Sequence, residues 1–247
     1  MGKLKWIALI LIGLNLSCAK DSPRRVEKGN AGNASEAILS DKRYEKIVLE
    51  IAYPDGFVPQ VATVQNIVDF IKRYCDKPGG VRVVYNNVKV GASSRSSSDI
   101  RVIESNFRTT KAKNDELSIW VFINNGGSNR DNQNAKILGV AYASTSIALY
   151  GTSVHENSGG ILQVSREEAE TVVLQHELGH LFGLVNNGSK MVRQHQDTNN
   201  GKHCTVESCL MYYAIETNEL FALLGTGGTI PELDPLCKED LKANGGK

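Results

Sequence analysis

The most informative stretch of the chain is SREEAETVVLQHELGHLFG, residues 165–183. Its apolar residues predict a long helix that ends at Gly183, because glycine tolerates the left-handed conformation that redirects a chain. His176 and His180 lie four residues apart, about 40° around the helix axis, so both imidazoles project from one side. Together they can bind one Zn²⁺, and Glu177 beside them can accept a proton from zinc-activated water. The alternative is two ordinary histidines on a core helix.

Upstream of this helix, strand-like and helix-like segments alternate. Alternating or β-branched apolar residues predict strands at 45–53, 81–85, 117–123, 137–143 and 147–150. Helical spacing predicts a helix at 59–75, and Ser98 or Asp99 could cap a second helix that runs through Phe107. Ser165 with Glu168 forms a capping box for the long helix. We therefore expect an α/β fold: a mixed, mostly parallel five-stranded sheet with an antiparallel edge strand, backing helices and the zinc helix.

The longer string HELGHLFG resembles the metzincin metallopeptidases, whose pattern is HExxHxxGxxH followed by a turn that carries a methionine. The strict spacing would place the third ligand at Asn186, which is a poor zinc ligand. Further on, HCTVESCLM, residues 203–211, looks like the archaemetzincin signature, in which the third histidine directly precedes a cysteine. The resemblance implies that His203 is the third ligand after a 17-residue insertion. His195 and Asp197, within that insertion, are the alternatives.

The region 165–215 also resembles secreted zinc metallopeptidase lipoproteins of the Bacteroides–Flavobacterium type. The metzincin resemblance implies further roles. Met211 would form the turn beneath the metal, and Tyr213 matches the tyrosine that can hydrogen-bond the reacting oxyanion in astacin-like metzincins. A peptide substrate would add as an extended strand along an edge strand that contains Leu138, Gly139, Val140 and Ala141. Plain core packing and an ordinary edge strand are the alternative interpretations.

The five cysteines divide into Cys18 and four later residues. Four thiols outside the cytoplasm favour disulfides, with three pairings open. Cys204 and Cys209 are close enough in sequence to close a small loop, and Cys75 could then meet Cys237. Archaemetzincins carry a later CxxC pair that helps to bind a second zinc, whereas here only Cys237 follows. We therefore expect one catalytic Zn²⁺ and no site made of four cysteines.

The N-terminus has the pattern of an export signal. Lys3 and Lys5 precede an apolar run over residues 6–16, which is too short to span a bilayer. Ser17 and Cys18 resemble a bacterial lipobox, which implies that residues 1–17 are a signal peptide and that Cys18 is lipidated. Residues 18–41 then form a flexible tether, and 42–247 the domain. We expect an exported cell-envelope lipoprotein, at the periplasmic or surface face of the outer membrane, or a secreted protein.

Composition limits the partners. The chain has 247 residues, of which 41% are hydrophobic, so it is not a disordered chain. Its formal charge of +1 would become −1 on removal of the two lysines of the signal peptide. Such a balance gives no basic field for nucleic acid. The expected partners are a peptide or protein substrate and the membrane, through the lipid anchor, and we expect a monomer.

The sequence thus predicts an exported zinc metalloendopeptidase. His176, His180 and His203 would hold the metal, and Glu177 would act as general base. One alternative is a catalytically inactive surface-binding lipoprotein on the same fold. Another is a hydrolase with the same HExxH pattern that acts on non-peptide amides.

Overall fold

A five-stranded sheet forms the centre of the protein. The computed structural model describes residues 26–161, 163–224 and 229–247. The strands are β1 (Lys46–Tyr53), β2 (Val81–Asn87), β3 (Glu116–Asn124), β4 (Gly139–Ala143) and β5 (Ser146–Tyr150). Their order is β2-β1-β3-β5-β4, and every pair is parallel except β4 with β5. This confirms the predicted mixed, mostly parallel sheet with an antiparallel edge strand.

Helices pack around the sheet and continue after it. They are α1 (Ser35–Leu39), α2 (Val61–Tyr74), α3 (Ser97–Phe107), α4 (Gly151–His155), α5 (Arg166–Leu181), α6 (Leu220–Leu224) and α7 (Pro235–Ala243). Two short antiparallel strands, β6 (Gln196–Asp197) and β7 (His203–Cys204), follow α5, and a 3₁₀ helix spans Tyr213–Glu216. Within the described ranges, we find no helix that is both long and apolar enough to cross a membrane.

The alternation along β3 shows why both faces of the sheet are covered. Ile119 and Val121 belong to the larger core cluster, together with the apolar residues of α2 and α5. Trp120 and Phe122 belong to a second cluster that includes Ile100 of α3. Because successive side chains on a strand point to opposite faces, the two clusters lie on the two sides of the sheet. The result is a three-layer arrangement with α5 on one face.

Glu170 anchors the first half of α5. Its fully buried carboxylate accepts hydrogen bonds from Thr63 Oγ1 at 3.0 Å and Gln60 N at 3.2 Å, both at the start of α2. His155 Nε2 lies at 2.8 Å and Arg166 Nε at 3.1 Å. Burial by itself would raise the pKa of this carboxyl, but these hydrogen bonds outweigh it and lower the pKa. The charged network thereby sets the position of α5 against α2.

The folded part of the chain begins earlier than residue 42. Ile38 and Leu39 in α1 are completely buried in the core, and Ser35 Oγ lies 2.8 Å from Ser189 Oγ. The flexible tether is predicted to span residues 18–41, and its C-terminal limit at residue 41 is therefore wrong. Short apolar stretches of this kind show no sustained periodicity, and only their tertiary partners reveal that they fold. The predicted signal peptide, residues 1–17, and Cys18 lie outside the described residues.

Candidate metal centre

Helix α5 contributes three residues to the centre. Its N-terminus is closed by the predicted capping box, since Ser165 Oγ accepts from Glu168 N at 3.1 Å and Glu168 Oε2 accepts from Ser165 N at 3.0 Å. From Ala169 to Leu181 every residue of the helix is buried. The two histidines and the glutamate of the HExxH pattern therefore face a region shielded from bulk water.

Three histidines converge on one point. His176 Nε2 and His180 Nε2 lie 3.2 Å apart, and the His203 ring centre lies 5.2 and 5.1 Å from theirs. Two nitrogen ligands at 2.0–2.1 Å from one tetrahedral Zn²⁺ are separated by about 3.3 Å. The observed spacing of the two Nε2 atoms agrees with that value, so His176 and His180 fit one zinc ion.

Backbone carbonyls orient two of these rings. His176 Nδ1 donates to the Leu210 carbonyl at 2.7 Å, and His203 Nδ1 donates to the Asn200 carbonyl. Each bond places the proton on Nδ1 and leaves the Nε2 lone pair for a metal. Consistent with this, His203 Nε2 is buried and makes no hydrogen bond. Both rings are therefore oriented so that Nε2 could bind a metal ion.

Burial controls the charge of the helix histidines. Removal from water lowers the pKa of His176 to about 4 and lowers the pKa of His180 as well. Both rings are therefore neutral at pH 7, which is the form that binds metal ions. Burial acts on His203 in the same direction, but the neighbouring carboxylate of Glu216 outweighs it and raises the pKa of His203.

Glu177 has no partner for its carboxylate. The residue is fully buried, and neither of its oxygens makes a hydrogen bond. Burial and then the nearby negative charge of Glu216 raise its pKa well above the ordinary value, while the Ala141 backbone N–H acts in the opposite direction. A Cβ added at Gly139 would lie 2.6 Å from Glu177 Oε1. The carboxylate thus lies directly beneath β4, and its raised pKa favours the protonated form.

Comparison with known proteins agrees with this geometry. A family model described as metallo-peptidase family M12 matches residues 43–221, which include the three histidines and Glu177. The chain belongs to this family. The crystal structure of archaemetzincin from Methanopyrus kandleri resembles this fold with a TM-score of 0.52 and 19% identity, over 81% of this chain and 96% of that one. A search of curated proteins gave no match. The predicted metzincin-like, archaemetzincin-like fold is confirmed.

Within this M12 fold, His203 and not His195 joins the two helix histidines. The donor atoms of His176, His180, His203 and Glu216 all lie within 4.8 Å of one another. His195 lies elsewhere, 3.4 Å from Cys204 Sγ. Asp197, the other alternative, accepts from Asn199 N at 3.0 Å and from Asn200 Nδ2 at 2.7 Å. It orders the turn whose Asn200 carbonyl orients His203.

Met211 lies against helix α5, as the metzincin resemblance implies. It is completely buried, and a Cβ at Gly179 would collide with its sulfur, which explains why the helix has no side chain there. Gly183 adopts a φ of +77°, just after the last residue of α5. The predicted role of Gly183 as the point where the chain leaves the helix is confirmed.

The Tyr213 hydroxyl does not point to the histidines. It donates to Glu219 Oε2 at 3.0 Å, and this hydrogen bond raises the pKa of Tyr213 to about 12. No contact among the described residues links the hydroxyl to the donor atoms of the centre. Its predicted role in binding the reacting oxyanion therefore finds no support in this structure.

Glu216 is the residue that sequence reasoning missed. Its Oε2 lies 3.6 Å from His203 Nε2, on the fourth side of the donor set. Burial would raise its pKa, but the adjacent His203 side chain outweighs this and lowers the pKa to about 2. Its carbonyl accepts from Leu138 N at 2.8 Å, which ties the centre to the start of the edge strand. Its position five residues after Met211 belongs to no motif.

The predicted Cys204–Cys209 disulfide is not formed. The four cysteines of the described residues are all free thiols, including the buried Cys75. Cys209 Sγ instead lies 3.6 Å from Cys237 Sγ. Sequence spacing alone favoured a local loop, whereas the fold brings a distant cysteine from α7 to the same place.

Proposed function

We propose that this M12 family protein is a zinc-dependent endopeptidase. The observation that carries the proposal is the buried, unpartnered Glu177 carboxylate beside three histidines whose nitrogens converge on one point. Zn²⁺ would be held by His176, His180 and His203. When bound, it supplies Lewis-acid activation of water and of the scissile carbonyl.

Glu177 performs the proton transfers in this proposal. Its carboxylate takes a proton from the attacking water as the oxygen bonds to the carbonyl carbon. It then delivers that proton to the amide nitrogen as the C–N bond breaks, which releases a free amine and a carboxylic acid that ionises at neutral pH. A raised pKa favours the second step, because the carboxyl must hold the proton until the amine departs.

The edge strand provides the substrate-binding surface in this proposal. β4 pairs with β5 on one side and is the last strand of the sheet, so an extended peptide can add to its other side through backbone hydrogen bonds. Val140 and Ala141 are half-buried there, next to Glu177 beneath Gly139. A peptide laid along β4 would bring its scissile carbonyl over the histidines. This position favours cleavage within a chain.

The experiment is a digestion of a diverse peptide library by the purified protein, read by mass spectrometry. Glu177→Gln should lower kcat by about 10³-fold with unchanged zinc content, because only the base is lost. Glu167→Gln, on the first turn of the same helix, is the matched control and should keep full activity. Undiminished turnover by Glu177→Gln would overturn the mechanism. Zinc binding without cleavage of any peptide would favour a binding protein or an amide hydrolase.

We also propose that the protein is exported and lipid-anchored. The support is the lysine-flanked apolar run before Cys18. Expression in a bacterium with a labelled fatty acid should label the natural chain and not the Cys18→Ser variant. Membrane fractions should retain the first and release the second. Equal fractionation of both would overturn the anchor.

A further inference from the structure

A second group of metal-ligand side chains lies beside the histidine centre. His195 Nδ1 is 3.4 Å from Cys204 Sγ and 4.0 Å from Cys237 Sγ. Cys209 Sγ lies 3.6 Å from Cys237 Sγ. All four residues are buried. They come from three separate parts of the chain: the insertion after α5, the β7 segment and helix α7. We call them the thiol cluster.

The spacing in the thiol cluster is that of a tetrahedral metal shell. With Zn–S near 2.3 Å and Zn–N near 2.0–2.1 Å, two sulfurs lie about 3.8 Å apart and a sulfur and a nitrogen about 3.5 Å apart. The three observed distances, 3.6, 3.4 and 4.0 Å, scatter around these values. A disulfide requires sulfurs about 2.0 Å apart, so the cluster is not an oxidised pair.

The tautomer of His195 suits a ligand. Its Nε2 donates to Asp240 Oδ2 at 2.9 Å, so Nδ1 is the nitrogen that faces the sulfurs and is available to bind a metal. A carboxylate behind a histidine is a common support for zinc ligands. Both side chains are almost fully buried, at 1% exposure. Asp240 also accepts from Val192 N at 2.7 Å, so the insertion and α7 are joined through this carboxylate.

Backbone N–H groups are directed at the sulfurs. Cys209 Sγ accepts from Met211 N at 3.3 Å and from Asp234 N at 3.4 Å, and Cys204 Sγ accepts from Val206 N at 3.5 Å. Such donors stabilise thiolates. Three neighbouring thiolates would repel one another. A cation bound between them would remove this repulsion, and the backbone donors would stabilise the thiolates that bind it.

Asp234 is a competing donor in this region. The atoms that lie within 4.8 Å of one another belong to His195, Cys204, Asp234 and Cys237. However, Asp234 is the N-cap of α7, where its side chain accepts from Cys237 N at 3.0 Å and Leu236 N at 3.3 Å. Cys209 caps no helix, and its Sγ lies 3.6 Å from Cys237 Sγ and 3.3 Å from Asp234 Oδ1. We therefore assign Cys209, not Asp234, to the shell.

We propose that His195, Cys204, Cys209 and Cys237 bind a second Zn²⁺ in a closed, structural site. The cluster contains only three cysteines, and His195 from the insertion supplies the fourth donor. The shell has no open position, so it binds no substrate. Because Cys204 directly follows His203 on β7, the second ion also holds the third ligand of the histidine centre in place.

Metal counting on the purified full chain tests this site. Elemental analysis should find two zinc ions per chain, and one in each of the variants His195→Asn, Cys209→Ser and Cys237→Ser. The controls Cys75→Ser and Asp234→Asn should keep two. One zinc in the natural chain, or two in the His195 and Cys237 variants, would overturn the proposal. Loss of an ion in Asp234→Asn with retention in Cys209→Ser would overturn the assignment of Cys209.

A spectroscopic measurement needs no variant of the cluster and separates this proposal from the peptidase proposal. Cobalt(II) exchanged into the natural chain should show thiolate-to-metal charge-transfer absorption, and the three cluster thiols should react with a thiol reagent only after chelation. His176→Asn should lose activity and one ion but keep that absorption. A cobalt protein without charge-transfer absorption, or thiols that react before chelation, would overturn the second site whatever the result with Glu177→Gln.

Discussion

Two donor groups stand back to back at β7 and differ in nearly every property. The histidine centre uses nitrogen donors with a carboxylate on its fourth side, and it lies beneath the free edge of β4. The thiol cluster uses sulfur donors and one histidine, and it is closed by α7 and the insertion. His203 and Cys204 are adjacent, and adjacent strand residues point to opposite sides. One dipeptide therefore contributes to the histidine centre on one side and to the thiol cluster on the other.

The difference also concerns protons. His176 and His180 are already neutral in the folded chain, because burial lowers their pKa values. In the thiol cluster, contacts with neighbouring thiols and burial raise the pKa values of Cys209 and Cys237, so both are protonated without metal. The two helix histidines can bind a metal ion without losing a proton, whereas the thiol cluster must release protons when it binds one.

The largest expected effect is the pH dependence of zinc affinity. Lowering the pH from 7.5 to 5.5 should weaken zinc binding at the thiol cluster by at least about 10⁴-fold, since two thiol protons must leave. His195 must lose a proton as well, because Cys204 and Asp240 raise its pKa to about 9 against the effect of burial. At the histidine centre only His203 has a raised pKa, so the same change should cost no more than about 100-fold. Chelator competition measures both, with His176→Asn isolating the cluster and Cys237→Ser the centre. Equal pH dependence of the two would contradict the comparison.

The second-largest effect should be confined to the histidine centre. Gly139→Ala should lower kcat/KM for a cleaved peptide by about 100-fold, because the new methyl group would displace the Glu177 carboxylate and small misplacements at a reacting group are costly. The zinc count should remain unchanged, since no ligand is touched. Gly91→Ala, where an added Cβ meets nothing within 4 Å, is the control and should behave as the natural chain. Equal activity of the two variants would show that Glu177 tolerates the displacement.

The smallest effect concerns Glu216. Its carboxylate lies on the fourth side of the histidine donor set, where a negative charge stabilises a bound cation. Glu216→Gln should weaken zinc at that centre by about tenfold, which corresponds to about 1.4 kcal/mol. The thiol cluster should keep its affinity. Glu219→Gln, three residues later and exposed, is the matched control, and zinc affinity that falls equally in both would remove Glu216 from the centre.

Much of the fold could be predicted from the sequence because its signals are local. The five strands and the zinc helix follow from residue periodicity, and the capping box at Ser165 and the turn at Gly183 follow from short patterns. The α1 segment could not be found this way, since five residues carry too little periodicity. Tyr213 shows the opposite error: its sequence position suggested a role at the centre, but the fold pairs it with Glu219.

The sequence by itself determined the chemical character of the histidine centre. One turn of one helix contains His176, Glu177 and His180, so local geometry brings the three side chains together. Two imidazoles beside a carboxylate indicate zinc-dependent hydrolysis. Only the tertiary structure decided between His203 and His195, placed Glu216 beside the ligands, and turned a predicted disulfide into a group of free thiols with His195. These donors come from segments up to 42 residues apart, as for His195 and Cys237. No local pattern records such distances, because packing of the insertion and α7 sets them.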